Sequence, residues 1–274
     1  MAVSIIENLE DPRLDAYRDI RSRNWTYVSQ RFIAEGPLLT ERLLASNYRT
    51  ESVLLDEKYA DQYLHSIPAS VELLLLKHDA VAEVVGFNFH RGVLACGVRP
   101  PQLELRTDFG SLPDTRETLV AAIGVQDPEN LGSILRCCSG FGIQRVLIGP
   151  GTADPLSRRV LRVSMGTALR LRLLHSKDIV ADLAWLSESF NIVSYATSLR
   201  DDSLPLENVG RTGPVLILVG NERYGLPDEV HRAADHCVRI DMELGTDSLN
   251  VSMASGIVMH YFCRIASRSQ ATLP

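Results

Sequence analysis

The stretch Arg239-Ile-Asp-Met-Glu-Leu-Gly-Thr-Asp-Ser-Leu-Asn-Val-Ser-Met-Ala-Ser-Gly-Ile-Val-Met-His-Tyr261 decides how the second half of this chain is built. Residues 237–240 read as a short strand and residues 243–247 as a polar loop, and a helix follows. Val251, Ala254, Val258, Tyr261, Phe262 and Ile265 recur at helical spacing, which gives that helix one apolar face. Ser248 is placed to cap it, since a serine oxygen accepts from the free amides of a first turn. The start of the helix is polar: Ser248, Asn250 and Ser252 gather where orphan amides and the positive dipole end already lie. A hydroxyl and a carboxamide there can orient a polar ligand; the plainer reading is a serine cap beside a solvated asparagine.

Upstream, residues 214–219 are the most apolar strand of this half, and they run directly into Gly220-Asn-Glu-Arg-Tyr-Gly-Leu-Pro227. α/β proteins place ligands where a buried strand gives way to such a loop, and glycines let the backbone approach a ligand closely. Glu222 is an acid inside that loop. No Gly-x-Gly-x-x-Gly occurs anywhere in the chain, which disfavours an ordinary dinucleotide site. Further back, residues 119–124 read as a buried strand, and Asp127-Pro128 opens a helix that runs through Asn130 to residue 141. Leu131, Ile134, Leu135, Cys138 and Phe141 form its buried face. The other face carries Gly132, Ser133, Arg136 and Gly140. Small residues one turn either side leave the Arg136 guanidinium unobstructed, a clearing suited to a bulky anionic substrate.

The first half alternates in the same way. Strands are expected at residues 31–34, 52–55, 71–76 and 92–98, and helices at 9–22, 36–45, 56–64 and 78–84. That order implies an α/β domain with a largely parallel sheet. Between residues 99 and 116 the texture changes: Pro100-Pro101, Gly110 and Pro113 interrupt it and no periodicity persists. The stretch reads as a linker. The expected organisation is a smaller domain at 1–100, a linker at 101–116 and a site-bearing domain at 117–274, the two domains being separable.

A chain of 274 residues accommodates two domains of ordinary size. No basic segment followed by an apolar core opens the chain, so no signal peptide is expected. No apolar run approaches the ~20 residues that a membrane span needs. The five cysteines show no metal-ligand spacing and read as reduced and cytosolic, with no metal expected. The net charge of −6 argues against an indiscriminate nucleic-acid coat. Yet Lys58, Lys77 and Lys177 are the only lysines, and the remaining basic residues are arginines. Arginine forks onto phosphates and stacks on bases, which suits specific recognition. Arg18, Arg21, Arg23 and Arg31 form one cluster, and Arg158, Arg159, Arg162, Arg170 and Arg172 another; a solvated arginine-rich surface is the bland alternative.

Three stretches now stand in order: Asp127-Pro-Glu-Asn-Leu-Gly-Ser-Ile-Leu-Arg-Cys-Cys-Ser-Gly-Phe-Gly142, Leu218-Val-Gly-Asn-Glu-Arg-Tyr-Gly-Leu226, and Ile240-Asp-Met242 with Asp247-Ser-Leu-Asn-Val-Ser252. Together they resemble the three motifs of the SpoU (TrmH-like) ribose 2′-O-methyltransferases of the SPOUT superfamily. The first half is similar to the family's α/β substrate-binding module, related to ribosomal-protein RNA binders; Arg31-Phe-Ile-Ala-Glu-Gly-Pro37 carries that weaker likeness. The resemblance implies a C-terminal trefoil-knotted domain, an exception to simple topology. It also implies S-adenosyl-L-methionine held in the knot, a homodimer, an RNA substrate (tRNA or rRNA) and a cytoplasmic enzyme. By motif match Asn130 and Arg136 are the functional residues of the first motif, Glu222 the acid of the second, and Ser248 and Asn250 the polar pair of the third. Cofactor contacts fall to Gly220, Ile240, Met242 and Leu249, with Ala196 or Thr197 near the adenosine. Cys137-Cys138 replace the more usual Thr-Ala, and Pro227 stands where a small polar residue is common; neither change removes a motif residue.

The implied chemistry is transfer of a sulfonium methyl to a ribose 2′-hydroxyl. The enzyme must align that hydroxyl in line and help remove its proton. The family proposal makes the arginine the base. Arginine is effectively always protonated, so Arg136 fits better as a clamp on the phosphate and a stabiliser of the developing alkoxide; the sequence does not choose between these roles. Two other classes compete. A non-catalytic RNA-binding dimer that had kept the fold would be expected to lose Asn130, Arg136 or Asn250. An ordinary metabolite-binding α/β enzyme would match all three motifs only by chance.

Overall fold

The computed structural model describes residues 3–18, 20, 28–87, 89, 91–111, 116–200, 202–246 and 248–266. The chain divides into two compact units, Met1–Pro101 with Pro155–Arg170, and Gln102–Asp154 with Leu171–Pro274.

The first unit holds a five-stranded sheet in the order β1-β4-β3-β5-β2, built from β1 (Val3–Ile5), β2 (Arg31–Glu35), β3 (Thr50–Asp56), β4 (Glu72–Leu76) and β5 (Val93–Val98). Helix α1 (Pro37–Leu44) follows β2, and α2 (His78–Val85) follows β4. β1 and β3 run parallel to β4, but β5 is antiparallel to both its neighbours, so the sheet is mixed where a largely parallel one was expected. Gly86, at φ 75°, turns the chain out of α2, and Gly92, at φ 73°, turns it into β5. β5 therefore begins beside the ends of β2 and β3: Gly36 N donates to Val93 O and Asp56 N to Gly92 O, both at 2.9 Å. An alternation of strand and helix sets the order of elements, not the direction in which a strand re-enters. Where a helix was expected at 9–22, the described residues form a 3-10 helix, Pro12–Tyr17, capped by Asp11; residues 19, 21 and 22 lie outside them. Of the first arginine cluster, Arg21 and Arg23 lie outside the described residues. Arg18 pairs with Asp15 and Arg31 with Glu51.

Leaving aside single-turn helices, the elements that follow in chain order are β6 (Leu103–Glu104), β7 (Thr118–Ala122), α3 (Pro128–Phe141), β8 (Arg145–Ile148), α4 (Arg158–Val163), β9 (Arg172–His175), α5 (Ile179–Phe190), β10 (Val193–Thr197), β11 (Leu204–Pro205), β12 (Val215–Val219), α6 (Asp228–Ala233), β13 (His236–Arg239) and α7 (Val251–His260). The second unit's eight strands pair in parallel throughout, in the order β11-β13-β10-β12-β7-β8-β9-β6. β7 and β12 are buried along their whole length, as central parallel strands covered on both faces must be. From β7 the order runs one way through β8 and β9, and from β12 the other way through β10 and β13. The junction of β7 and β12 is therefore a topological switch point, where α/β folds open a crevice at the strands' carboxyl ends.

The expected boundary at residues 101–116 is corrected in two ways. Its described residues are no free linker: β6 pairs with β9, and Leu105 and Phe109 are buried in the core of the second unit. Pro155–Arg170, in contrast, belongs to the first unit. α4 packs on β2, and its Val160 and Leu161 are fully buried. Arg158 Nη1 reaches the buried Glu35 Oε2 at 3.1 Å, and Arg42 donates to the Met165 carbonyl.

α7 packs against α3, with Cys138 Sγ 3.7 Å from Met259 Sδ and the Phe141 ring beside that of His260. It runs into a wider π-helical turn, Tyr261–Ile265. Tyr261 donates to Val209 O at 2.6 Å, and the buried Arg211 donates to Phe262 O at 3.0 Å and to Thr118 Oγ1 at 2.8 Å. Of the apolar face expected on this helix, Val258 and Phe262 are buried, Val251, Ala254 and Tyr261 are half-buried, and Ile265 is exposed. A second line, Met253 and Ile257, is exposed one turn apart. Among the described residues no helix is long and apolar enough to cross a membrane.

Candidate active site

The carboxyl ends of β10, β12 and β13 lie side by side, and the loops that leave them enclose a cleft of about 390 Å³, within the ~300–1,000 Å³ of small-molecule sites. Thr197 continues β10 into it, Gly220 closes β12 below it, and Ile240, Met242, Ser248 and Leu249 come from the chain after β13. Val238, Val251 and Val258 supply further apolar wall. Ala196, expected beside Thr197, is fully buried within β10 and is not part of the lining.

Gly220 is a glycine for a steric reason. A Cβ there would meet the Gly225 carbonyl carbon and the Leu226 nitrogen at 2.5 Å, both of them backbone atoms that cannot give way cheaply. The loop folds back on itself through reciprocal Asn221–Gly225 hydrogen bonds of 3.0 and 2.9 Å. Gly225 sits at φ 68°, which suits glycine. Asn221 fixes the turn from within: its Oδ1 accepts from the amides of Arg223 and Tyr224, and its Nδ2 donates to Gly124 O at 2.8 Å, tying the loop to the end of β7. Sequence reasoning missed Asn221. Its signal was an Asx turn, an asparagine whose oxygen caps the amides that follow it.

Glu222, the next residue, turns toward α3. Because β7 and β12 are neighbours in register, the loops after them emerge together. The Glu222 carboxylate accepts from the amides of Gln126 and Asp127 at 3.3 and 3.1 Å and from Asn130 Nδ2 at 3.1 Å. The position is the amino end of α3, where the helix dipole favours an anion. Desolvation pushes the carboxyl's pKa up, but the hydrogen bonds it accepts outweigh this and hold it below the usual glutamate range. Asn130, buried on α3, passes the connection on: its Oδ1 accepts from Asn250 Nδ2 at 2.9 Å. Asn250 Oδ1 then accepts from Ser252 N at 2.9 Å and Ser252 Oγ at 2.6 Å. One line of hydrogen bonds thus joins residues from all three motif stretches.

This line corrects the expected cap. Asn250, not Ser248, is the N-cap of α7, with extended backbone at φ −52°, ψ 136°. The helix starts at Val251, the first residue of its apolar spacing and later than a cap at Ser248 would set it, and Ser248 is left exposed on the cleft wall. Arg136 stands apart. It is exposed on α3, does not line the cleft, and makes no hydrogen bond or ion pair among the described residues. Six residues beyond Asn130, it lies about 9 Å along the helix axis and about a third of a turn away around it.

The SpoU rRNA Methylase family matches residues 117–260, more than half of the chain and all of the elements that form the cleft. The chain belongs to the SpoU rRNA methylase family. An uncharacterised tRNA/rRNA methyltransferase of Mycobacterium tuberculosis is 34% identical over 264 residues, covering 92% of this SpoU chain and 88% of its own. The 23S rRNA (guanosine-2′-O-)-methyltransferase of Acinetobacter baylyi is 28% identical over 211 residues, covering 74% of this chain and 85% of its own. In fold, the AdoMet-bound rRNA methyltransferase of Sinorhizobium meliloti superposes with a TM-score of 0.82 at 23% identity, over 99% of each chain. As a SpoU-family RNA methyltransferase, the protein carries its three motif stretches on one cleft and one hydrogen-bonded line.

Proposed function

We propose that this chain transfers a methyl group from S-adenosyl-L-methionine to a ribose 2′-hydroxyl of tRNA or rRNA in the cytoplasm. The observation that carries the reading is the Glu222–Asn130–Asn250 line, which holds the amino ends of α3 and α7 together beside a glycine-floored cleft. The cleft fits the cofactor: its floor is closed to any side chain at position 220, Val238, Ile240, Leu249 and Val258 give it an apolar wall, and polar residues including Thr197 and Ser248 line it too. Gly220, Ile240, Met242 and Leu249 would hold the cofactor by backbone and apolar contact, with Thr197 near the adenosine. When bound, it supplies a methyl group already activated on a sulfonium. The protein's own task is then positional. Ser248 and the capped end of α7 orient the ribose, Asn130 keeps that end in place, and Glu222 anchors Asn130. Arg136, exposed and unpaired among the described residues, clamps a substrate phosphate and stabilises charge developing on the 2′-oxygen.

The same reading includes a trefoil-knotted second unit and a homodimer. Met253 and Ile257 lie exposed on the helix that packs against α3, and a second copy would cover them. Pairing there also gives Arg136, which misses its own chain's cleft, a neighbouring one to serve. A mixture of Arg136→Ala and Asn130→Ala chains that recovers activity neither has alone would bear this out. The function itself is tested by incubating the purified chain with deuterated-methyl S-adenosylmethionine and total RNA, then digesting to nucleosides. Mass spectrometry should find labelled 2′-O-methylnucleosides; RNA binding without any label would leave a binding protein in place of an enzyme.

A further inference from the structure

We infer that Tyr224, backed by Arg223, is a stacking platform for a nucleobase of the RNA substrate. The inference rests on the RNA methylation reading above and goes beyond it to how the substrate is gripped. Tyr224 is 77% exposed, although it borders the cleft. Its loop is no mobile tip. Asn221 Oδ1 holds the Arg223 and Tyr224 amides at 2.9 and 3.0 Å, the Asn221–Gly225 pair closes the turn, and Asn221 Nδ2 ties it to β7. The frame therefore presents one aromatic ring to solvent in a fixed place.

The Arg223 guanidinium lies 5.3 Å from the Tyr224 ring centre, a cation–π contact that steadies the ring and leaves a positive plane beside it. Glu222 and Tyr224 divide the loop between them: the first turns toward α3, the second outward. Tyr224 stands on the rim of the cleft, within the set of residues that line it, so a base flanking a ribose at the cleft can lie against its ring. Proteins that read unpaired RNA stack splayed bases on aromatic rings and guanidinium planes, and any base offers a π-face. Among the described residues Tyr224 makes no ring contact other than that with Arg223.

The test compares Tyr224→Ala and Tyr224→Phe with the parent chain. RNA affinity is read by fluorescence anisotropy on a labelled single-stranded oligoribonucleotide chosen by binding to the parent chain, cofactor affinity by calorimetry, and methyl transfer by the mass-spectrometric assay above. Tyr224→Ala should weaken RNA binding about ten- to a hundredfold, with cofactor affinity within about twofold. Tyr224→Phe should stay within about threefold of the parent, since it keeps the π-face. Versions of that oligoribonucleotide made abasic one position at a time should include one that binds parent and Tyr224→Ala equally. Unchanged RNA affinity in Tyr224→Ala overturns the inference, as does a loss confined to cofactor affinity, which would make Tyr224 a cover for the cofactor. A phenylalanine variant as weak as the alanine one would assign the effect to the hydroxyl and equally overturn it. A parent chain that binds RNA but transfers no methyl would defeat the methylation reading alone, because the anisotropy comparison does not depend on turnover.

Discussion

Asn130 and Asn250 stand 120 residues apart in sequence and share one hydrogen bond of 2.9 Å, from Asn250 Nδ2 to Asn130 Oδ1. Each amide is also committed at its other end, Asn130 to Glu222 and Asn250 to the first turn of α7. Both carboxamides therefore have one satisfying orientation. Reversing either would set donor against donor or acceptor against acceptor.

Asn130→Asp keeps the shape and removes that logic. An oxygen would face Glu222 Oε1 where a donor now lies at 3.1 Å. The expected loss is about 1–3 kcal/mol of stability in urea unfolding. The Asn130→Asp, Glu222→Gln double variant should recover part of it, because a donor is restored to the pair. A strictly additive double variant would deny the coupling.

Glu222 makes the stability depend on pH. Its folded pKa is depressed, so the unfolded state binds more protons in the acid range and stability rises with pH there. The Glu222 contribution is present above the unfolded pKa and is lost as pH falls through the lower folded value. Because the side chain is exposed on one side and screened, its size should be about 1 kcal/mol or less. Melting curves of the parent and of Glu222→Gln should differ at neutral pH and converge in acid; a gap that widens in acid would reverse the sign.

Gly220→Ala should damage the cleft floor. Backbone atoms at 2.5 Å leave the new methyl no room, and forced overpacking costs about 1–3 kcal/mol. Cofactor affinity should fall with the melting temperature, and calorimetry at equal protein concentration would register both.

Arg136→Ala should do the opposite, sparing stability and removing rate. The side chain is exposed and unpaired among the described residues, so unfolding should shift by no more than about 0.5 kcal/mol. Methyl transfer under single turnover should drop about 10²–10³-fold, as for one preorganised donor, with cofactor affinity within about threefold. Arg136→Lys should rescue poorly, since a point charge cannot replace a bidentate fork. A near-native rate in Arg136→Ala would remove this residue from the mechanism.

Much of the second unit was legible because its central strands β7 and β12 are largely apolar and its turns are marked by glycine, proline and asparagine. The cleft's position followed from β12 running straight into Gly220. What stayed hidden was relational. Asn250 and Ser248 are equally good caps by residue type, and only the Asn130 amide, from a distant stretch, selects Asn250. Glu222 read as an acid for chemistry, while its carboxylate is spent on two amides and a carboxamide. Pro100-Pro101 marked a real break, but nothing local announced that Leu105 and Phe109 beyond it are core. The return of Pro155–Arg170 to the first unit left no periodic trace at all.

That return bears on truncation. Removing residues 1–101 would strip Arg158 of Glu35 and uncover Val160 and Leu161, whose burial is worth about 1.5–3 kcal/mol each. The remaining chain should melt lower and aggregate more readily than the parent in light scattering. A truncated chain as stable and soluble as the parent would show that the segment needs no partner.

The order of synthesis gives the same segment another meaning. β2 leaves the ribosome long before α4, the helix that packs on it, for 123 residues separate Glu35 from Arg158. At about 5–20 residues per second that is a wait on the order of ten seconds. During it the nascent first unit holds an acidic group at a site meant for burial and an apolar face without its cover. The first unit is not complete until residue 170 has emerged, so a pause in translation before then would prolong the time its apolar face stands uncovered.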